Sequence, residues 1–216
     1  MSKISLKHSG GNVVSLNVPS SAPTSADVAF KLPNADGSAG QYIKTDGSGN
    51  LSFATVVDTK GVEIADQWRI NAGGTLTTDG ITQFTANWER GDTNSHGQIG
   101  SGMSESSGIF TFPSTGIYQI TATFTFQRDS SENRYAQLRM MVTTDNSNYS
   151  IAALGHSIFP TLSAHQTTYT AFLFDVTDTS THKVRFEAYT NRSDVKWKGN
   201  SGYNDNSVTF IKLGDT

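Results

Sequence analysis

An alternation of apolar and polar residues between positions 116 and 127 is the clearest pattern in this chain. Its apolar face consists of Tyr118, Ile120, Ala122, Phe124 and Phe126. Such alternation is typical of a β-strand with one face in a core and the other facing outward. Just before it, Pro113 cannot donate a hydrogen bond to a sheet and Gly116 can adopt a positive φ. The chain is therefore predicted to turn at residues 112–116 and then enter a long central strand.

Other alternating segments predict further strands in the C-terminal part of the chain. They lie near residues 62–71, 75–78, 82–90, 136–142, 151–158, 172–176, 184–188 and 208–210. The strand near 82–90 is expected to place Phe84, Ala86 and Trp88 on one face, and residues 91–107 are expected to form a polar loop. No segment shows a convincing helical pattern. Turns at intervals of about ten residues indicate an all-β sandwich or barrel.

Residues 1–60 differ from the rest in having few apolar side chains. Strands are predicted near 12–18 and 27–32, and a hairpin is predicted from 41–45 and 50–56 with Asp46-Gly47 in its turn. So little apolar surface cannot form an independent core. Residues 1–60 are therefore interpreted as a β-rich anchoring or oligomerisation segment, which intertwines with copies of itself or docks on a partner. Residues 61–216 are interpreted as a separate knob domain.

Five residues around the predicted turn form a recognisable signature: Gly108, Phe110, Pro113, Gly116 and Tyr118. Their spacing resembles the globular head of complement component one, subcomponent q, and the likeness extends over about residues 62–213. That family shares a jelly-roll β-sandwich with tumour necrosis factor. The resemblance implies the same fold here, and it implies a homotrimer. The side chains expected to be buried between subunits are Tyr135, Met141, Tyr169 and Leu173.

A second resemblance covers residues 30–53, in which Leu-Pro, Asp-Gly, Gly-Gln and Asp-Gly follow in that order. This segment is similar to segments of fibre and appendage proteins of tailed bacteriophages. It implies a virion protein whose residues 1–60 bind another virion protein. The alternative interpretation is a generic hairpin rich in glycine and serine.

Composition narrows the range of partners. Charged residues make up 16% of the chain and the formal net charge is −3, so there is no electrostatic reason to expect nucleic acid or an anionic membrane. No apolar run approaches the roughly 20 residues that cross a bilayer. The first residues lack the apolar segment of a secretory signal, and the chain contains no cysteine. We expect a virion protein assembled in the host cytoplasm; a cytosolic protein or another export route remains the alternative.

The residues of catalytic and metal-binding motifs are absent or scattered. The five histidines do not have the spacing of a metal motif, and no nucleophile elbow or phosphate-binding loop is present. Two oxygen-rich segments, 145–148 and 203–206, are interpreted as turns in preference to cation sites. The chain is expected to be non-enzymatic and without a cofactor or metal. A carboxylate pair brought together by folding would not be visible in the sequence, so this alternative stays open.

Antiparallel strands place successive loops at alternate ends of a sandwich. Loops 127–134, 159–166 and 191–206 are therefore predicted to lie together. In the family that the chain resembles both termini meet at the base, and this resemblance implies that the three loops lie at the end away from residues 1–60. Aromatic side chains among basic ones are typical of recognition surfaces, including those that bind sugars. The candidate host-contact residues are Arg128, Glu132, Arg134, Phe159, His165, Lys196, Trp197, Lys198 and Tyr203. The alternative is that Trp197 packs at the edge of the sandwich and that the long loops are only solvated.

These observations favour a homotrimeric phage fibre or appendage whose C-terminal knob binds a glycan or protein of the host surface. One alternative is a capsid or tail decoration protein with no host ligand. Another is a cellular lectin or binding module of the complement-head type.

Overall fold

The structure is a computed structural model that describes residues 3–17, 20–21, 29–56, 61–77, 79–129, 135–191 and 194–216. The chain divides into two compact units, Met1–Thr59 and Lys60–Thr216, and the second unit is called the knob. That the first unit anchors the protein stays a prediction.

The first unit contains two antiparallel hairpins. Strand β1 (Lys3–Lys7) pairs with β2 (Val13–Asn17), and β3 (Gln41–Thr45) pairs with β4 (Leu51–Thr55). The predicted strand near 27–32 lies partly outside the described residues, and its described part forms only an isolated bridge between Lys31 and Asn50. None of the described side chains in residues 4–56 is buried. The described side chains of this part therefore form no core of their own.

The knob is all-β in its described residues. Its strands are β5 (Ala65–Ile70), β6 (Gly74–Thr75), β7 (Gly80–Gln83), β8 (Trp88–Arg90), β9 (Ser104–Ser106), β10 (Ile109–Thr111), β11 (Gly116–Arg128), β12 (Tyr135–Thr143), β13 (Ser150–Ile158), β14 (His165–Val176), β15 (Lys183–Thr190), β16 (Val195–Trp197) and β17 (Ser207–Gly214).

These strands form two packed sheets. The β11 sheet has the order β14-β11-β17-β5-β8, and β16 with β6 continues beside the last residues of β11. The β12 sheet has the order β13-β12-β15-β10-β9, with β7 also paired to β15. Every pairing between these strands is antiparallel. The predicted jelly-roll β-sandwich is confirmed.

An aromatic layer fills the space between the two sheets. Phe110 is fully buried, and its ring lies 5.0 Å from Trp88, 5.2 Å from Phe210, 5.6 Å from Trp68 and 5.9 Å from Phe186, measured between ring centroids. Several of these pairs are edge-to-face, the arrangement that the ring quadrupoles favour. Strands from both sheets therefore meet at one phenylalanine.

The signature residues have structural reasons. Gly108 has φ 80° and Gly116 has φ 143°, and a Cβ atom would meet the backbone of Phe84 at the first and Lys212 and the Gly214 carbonyl at the second. The Tyr118 hydroxyl donates to the Ser114 carbonyl over 3.0 Å, which closes the turn before β11. These residues set how the chain enters its central strand.

The prediction of one continuous strand over 82–90 is wrong. β7 belongs to the β12 sheet and β8 to the β11 sheet, so the chain crosses between sheets at residues 84–87. Asn87 has φ 65°, and Trp88 Nε1 donates to the Phe84 carbonyl over 2.8 Å. This turn buries both Phe84 and Trp88 but leaves Ala86 exposed.

Two further expectations need correction. The predicted polar loop 91–107 contains strand β9 at its end. Burial of Met141 between subunits requires it to lie on the outward face of its strand, but the register of β12 against β13 shifts at Met140/Met141 and both side chains are buried within the knob. A bulge interrupts the alternation on which the expectation rested.

A buried carboxylate holds the β5 edge of the knob. Asp66 is 2% exposed and accepts hydrogen bonds from Arg90 Nε (2.8 Å), Trp68 Nε1 (2.8 Å) and the Met103 amide (2.7 Å). Burial alone would raise the pKa of Asp66, but the hydrogen bonds from Arg90, Trp68 and Met103 outweigh it and hold the pKa below its ordinary value of 3.8. The folded state therefore favours the ionised carboxylate.

We expect Asp66→Asn to lower the free energy of unfolding by about 3 kcal/mol, because Arg90 loses its counter-charge in a partly buried place. Since the folded pKa is depressed, the stabilisation is present above the ordinary pKa and disappears as pH falls through the folded value. Denaturant titrations of both proteins at several pH values measure this. The difference should shrink at low pH, whereas the control Asp36→Asn, on an exposed side chain outside the knob, should match the wild type throughout.

Candidate recognition surface at one end of the sandwich

Strand register determines which loops share an end of the knob. In the ladder of β11 with β14, Gly116 pairs with Val176 and Gln127 pairs with His165. Residue 129 and the segments 159–164 and 198–206 therefore lie where β11 finishes, which we call the far end. Ala65 pairs with Ile211 near the opposite end, where residues 61–64 enter the knob. The far end is thus opposite residues 61–64, the first described residues of the knob.

Two of the candidate contact residues are structural. Phe159 is 3% exposed and belongs to the core, so the expectation that its ring is exposed is wrong. Arg128 is 8% exposed and donates from a guanidinium nitrogen to the Phe159 carbonyl over 2.9 Å. Its own carbonyl accepts from the Ser163 amide over 2.9 Å. Arg128 therefore holds the loop 159–164 against β11.

The other candidates are placed separately. His165 is exposed at the first residue of β14, and Tyr203 is 58% exposed in the loop before β17. Glu132 and Arg134 lie outside the described residues. Tyr203 lines a different concavity from the one beside Trp197.

Trp197 packs at the edge of the sandwich, which is the alternative that the sequence left open. Its ring lies edge-to-face on Phe84 at 5.4 Å between centroids, and it is half-buried. The indole also rests on Gly74, where a Cβ atom would collide with it. Within the described part of the chain, the buried Nε1 atom has no hydrogen-bond partner. Trp197 thus forms one wall of the far-end surface and does not project from it.

The lysines on either side of Trp197 give this surface its charge. Together with Gly73, Gly74 and Gly199 they line an open concavity of about 320 Å³. Lys196 forms an ion pair with Asp129. Among the described residues Lys198 has no carboxylate partner, and its backbone amide donates to the Thr125 carbonyl over 3.1 Å. One uncompensated ammonium group beside glycine backbone suits an acidic group of a ligand.

We expect Gly74→Ala to lower the free energy of unfolding by about 1–3 kcal/mol, because the added methyl group displaces the Trp197 ring. The tryptophan emission should change as the indole moves. Thermal unfolding followed by fluorescence measures both. Gly97→Ala is the control, since open space surrounds that position; an equal effect of the two substitutions would contradict the packing described.

The oxygen-rich segment 145–148 forms a turn. The Asp145 carboxylate accepts from the Ser147 and Asn148 amides, from Thr143 Oγ1 and from Asn148 Nδ2 over 2.7–2.9 Å. The Asn148 side chain, followed by these other donors, holds the pKa of Asp145 far below its ordinary value. In the described residues no group of three or more acidic or histidine side chains could hold a metal ion. The described chain also has no helix that could cross a membrane.

Comparisons with known proteins support the fold. No protein-family model and no curated protein matches the chain. The structure of Eiger TNF from S. frugiperda matches 72% of this chain and 96% of its own at 10% identity, with a TM-score of 0.54. Murine APRIL at pH 5.0 matches 69% of this chain and 98% of its own at 14% identity, with a TM-score of 0.51.

Vertex protein P5 of PRD1 matches 71% of this chain and 99% of its own at 16% identity. Its TM-score of 0.46 is too low to carry an inference. The matches to the Eiger and APRIL structures support a jelly roll of the tumour necrosis factor type for the knob. At these identities the likeness concerns the fold alone.

Proposed function

We propose that this chain is a non-enzymatic virion structural protein: a homotrimeric phage fibre or appendage whose knob binds the host surface. The proposal rests on the positions of two features, which lie at opposite ends of the knob. The basic concavity at Lys196 and Lys198 lies at the far end, whereas residues 61–64, which lead back to the anchoring segment, lie at the other end. The phage-like segment 30–53 supports a virion location.

Trimer formation is supported by uncovered apolar side chains on the β13 and β14 edge of the knob. On β14, Tyr169 is 60% exposed and Leu173 is 59% exposed, and both face outward beside the polar face of β11. On the neighbouring β13, the exposed side chains are Ile151, Leu154 and Ile158. Exposed apolar side chains grouped on neighbouring strands mark an interface, and head-to-tail contacts that close produce a ring.

We expect Leu173→Asp to convert the trimer into monomers at micromolar concentration, because a carboxylate would be buried without a partner between subunits. Light scattering coupled to size exclusion measures the mass. Ile81→Asp is the control: Ile81 is 52% exposed on β7, in the other sheet, and its substitution should leave the trimer intact. A wild-type monomer would contradict the proposed assembly.

Three knobs in one trimer would let weak contacts act together. A contact with a dissociation constant in the millimolar range contributes only about 4 kcal/mol. Linking several such contacts raises the overall affinity by about 10²–10⁴-fold without a new interaction. Attachment of this kind needs no deep ligand cavity at the far end.

We expect Lys198→Ala to weaken binding of the full chain to cells of a susceptible host by about tenfold or more, because each knob in the trimer loses its uncompensated cation. Lys44→Ala, on the exposed strand β3, removes the same charge elsewhere and serves as the control. Cell binding of the fluorescently labelled protein measures the effect at two salt concentrations. Absence of wild-type binding would favour the decoration alternative.

A further inference from the structure

A second concavity lies beside β5 and has not been assigned a role. It has a volume of about 230 Å³ and opens to solvent between the segments 91–96 and 202–204. The side chains that matter here are Gln67, Thr93, Asn94, His96, Tyr203 and Asn204. Its lining is mainly polar, unlike the aromatic core behind it.

A buried arginine builds one wall of this pocket. Arg69 is 2% exposed although it lies on the outward face of β5. Its Nε donates to Glu89 over 2.7 Å, and its two terminal nitrogens donate to Thr93 (2.9 Å) and Asp92 (2.6 Å). The guanidinium therefore holds the segment 91–96 over the strand. Buried charge of this kind fixes one geometry when its hydrogen bonds are satisfied.

The two sides of the pocket are joined to each other. Thr93 Oγ1 and Asn94 Nδ2 both donate to the Gly202 carbonyl, over 3.1 Å and 3.0 Å. Asn204 Nδ2 donates to Gln67 Oε1 over 2.6 Å. Asn94 has φ 54°, a left-handed conformation that this residue type tolerates. The pocket is thus preorganised before a ligand arrives, which lowers the entropic cost of binding.

Three side chains at the pocket keep hydrogen-bonding capacity in the described structure. The Asn94 and Asn204 amides donate to the protein, as above, which leaves both Oδ1 atoms as acceptors. The Tyr203 side chain is exposed. The site therefore offers two acceptors and one hydroxyl around an exposed aromatic ring.

The Arg69 guanidinium that lines the pocket is fully paired within the protein. Every nitrogen of Arg69 already donates within the protein, and two of its three partners are the carboxylates of Glu89 and Asp92. No cation is therefore left to attract an anionic ligand. Sugar hydroxyls both donate and accept hydrogen bonds, and the apolar face of a sugar ring packs on an aromatic ring.

We propose that this pocket binds a neutral hexose unit of a glycan. The sugar ring packs on Tyr203, and its hydroxyls donate to the Oδ1 atoms of Asn94 and Asn204. The proposal rests on the proposed function only in taking the glycan to belong to the host surface. It is separate from the Lys198 concavity, which suits an acidic group.

Saturation-transfer NMR on the full chain tests this directly. The probes are D-glucose, D-galactose and D-mannose, with D-glucuronate as the anionic counterpart. We expect at least one neutral hexose to bind with a dissociation constant on the order of 1 mM, and we expect Tyr203→Ala and Asn204→Ala each to weaken it about tenfold or more. The control Tyr42→Ala removes an exposed tyrosine from β3 and should change nothing.

The proposal is overturned if no neutral hexose binds, if D-glucuronate binds at least as tightly, or if hexose binding survives both pocket substitutions. Cell-binding measurements on the same variants distinguish failure of the hexose proposal from failure of the proposed function. Hexose binding without attachment to host cells would leave the pocket established and refute the host-binding role. Attachment lost only in Lys198→Ala would show that the concavity beside Lys198 binds host cells without the Tyr203 pocket.

Discussion

The hydrogen-bonded ladders of β11 are the constraint on which the rest of the knob depends. Its residues 116–127 pair with β14 on one side, and on the other side it pairs first with β17 and then with β16. Its inward side chains are at most 1% exposed. A slip of one residue would move all of them to the opposite face, so the register fixes the core and both ends of the sandwich together. The aromatic layer around Phe110 can form in one arrangement only when that register is set.

Polar groups on β5 fix the positions of the neighbouring segments at the edge of the knob. Asp66 faces inward and joins Arg90, Trp68 and the Met103 amide, whereas Arg69 faces outward and joins the segment 91–96. Neither charge is free to move, because each has several partners. The pocket next to Tyr203 is therefore built on the same strand that closes the core. Its geometry should be as rigid as the sandwich itself.

The sequence predicted what depends on short-range alternation and turn chemistry. The central strand, the turn at Pro113 to Gly116 and the hairpin around Asp46 follow from residue types within a few positions. The split of residues 82–90 between two sheets could not be predicted, because Phe84 and Trp88 keep the spacing of one strand. The bulge at Met141 likewise leaves no mark in the alternation.

The positions of the candidate site residues could likewise be predicted only in part from the sequence. Lys196, Lys198 and Tyr203 could be located at one end from the strand order alone, although two separate concavities divide them. The burial of Phe159 depends on how a distant loop returns to β11. From the alternation in β5, Arg69 would be expected to face solvent. In the structure it is covered by a segment some 20 residues later in the chain. Such contacts between remote segments carry no local signal.

The first and last residues of the knob lie close together, and this proximity has a practical consequence. The Lys212 amide donates to the Ile64 carbonyl over 2.9 Å, and the Lys212 ammonium pairs with Glu63 and Asp215. A short linker could therefore join residue 216 to residue 61, and new termini could be opened in the exposed segment 160–162. Such a circular permutant would keep both sheets while turning the knob's polarity around, so that a fused cargo would emerge from the opposite pole.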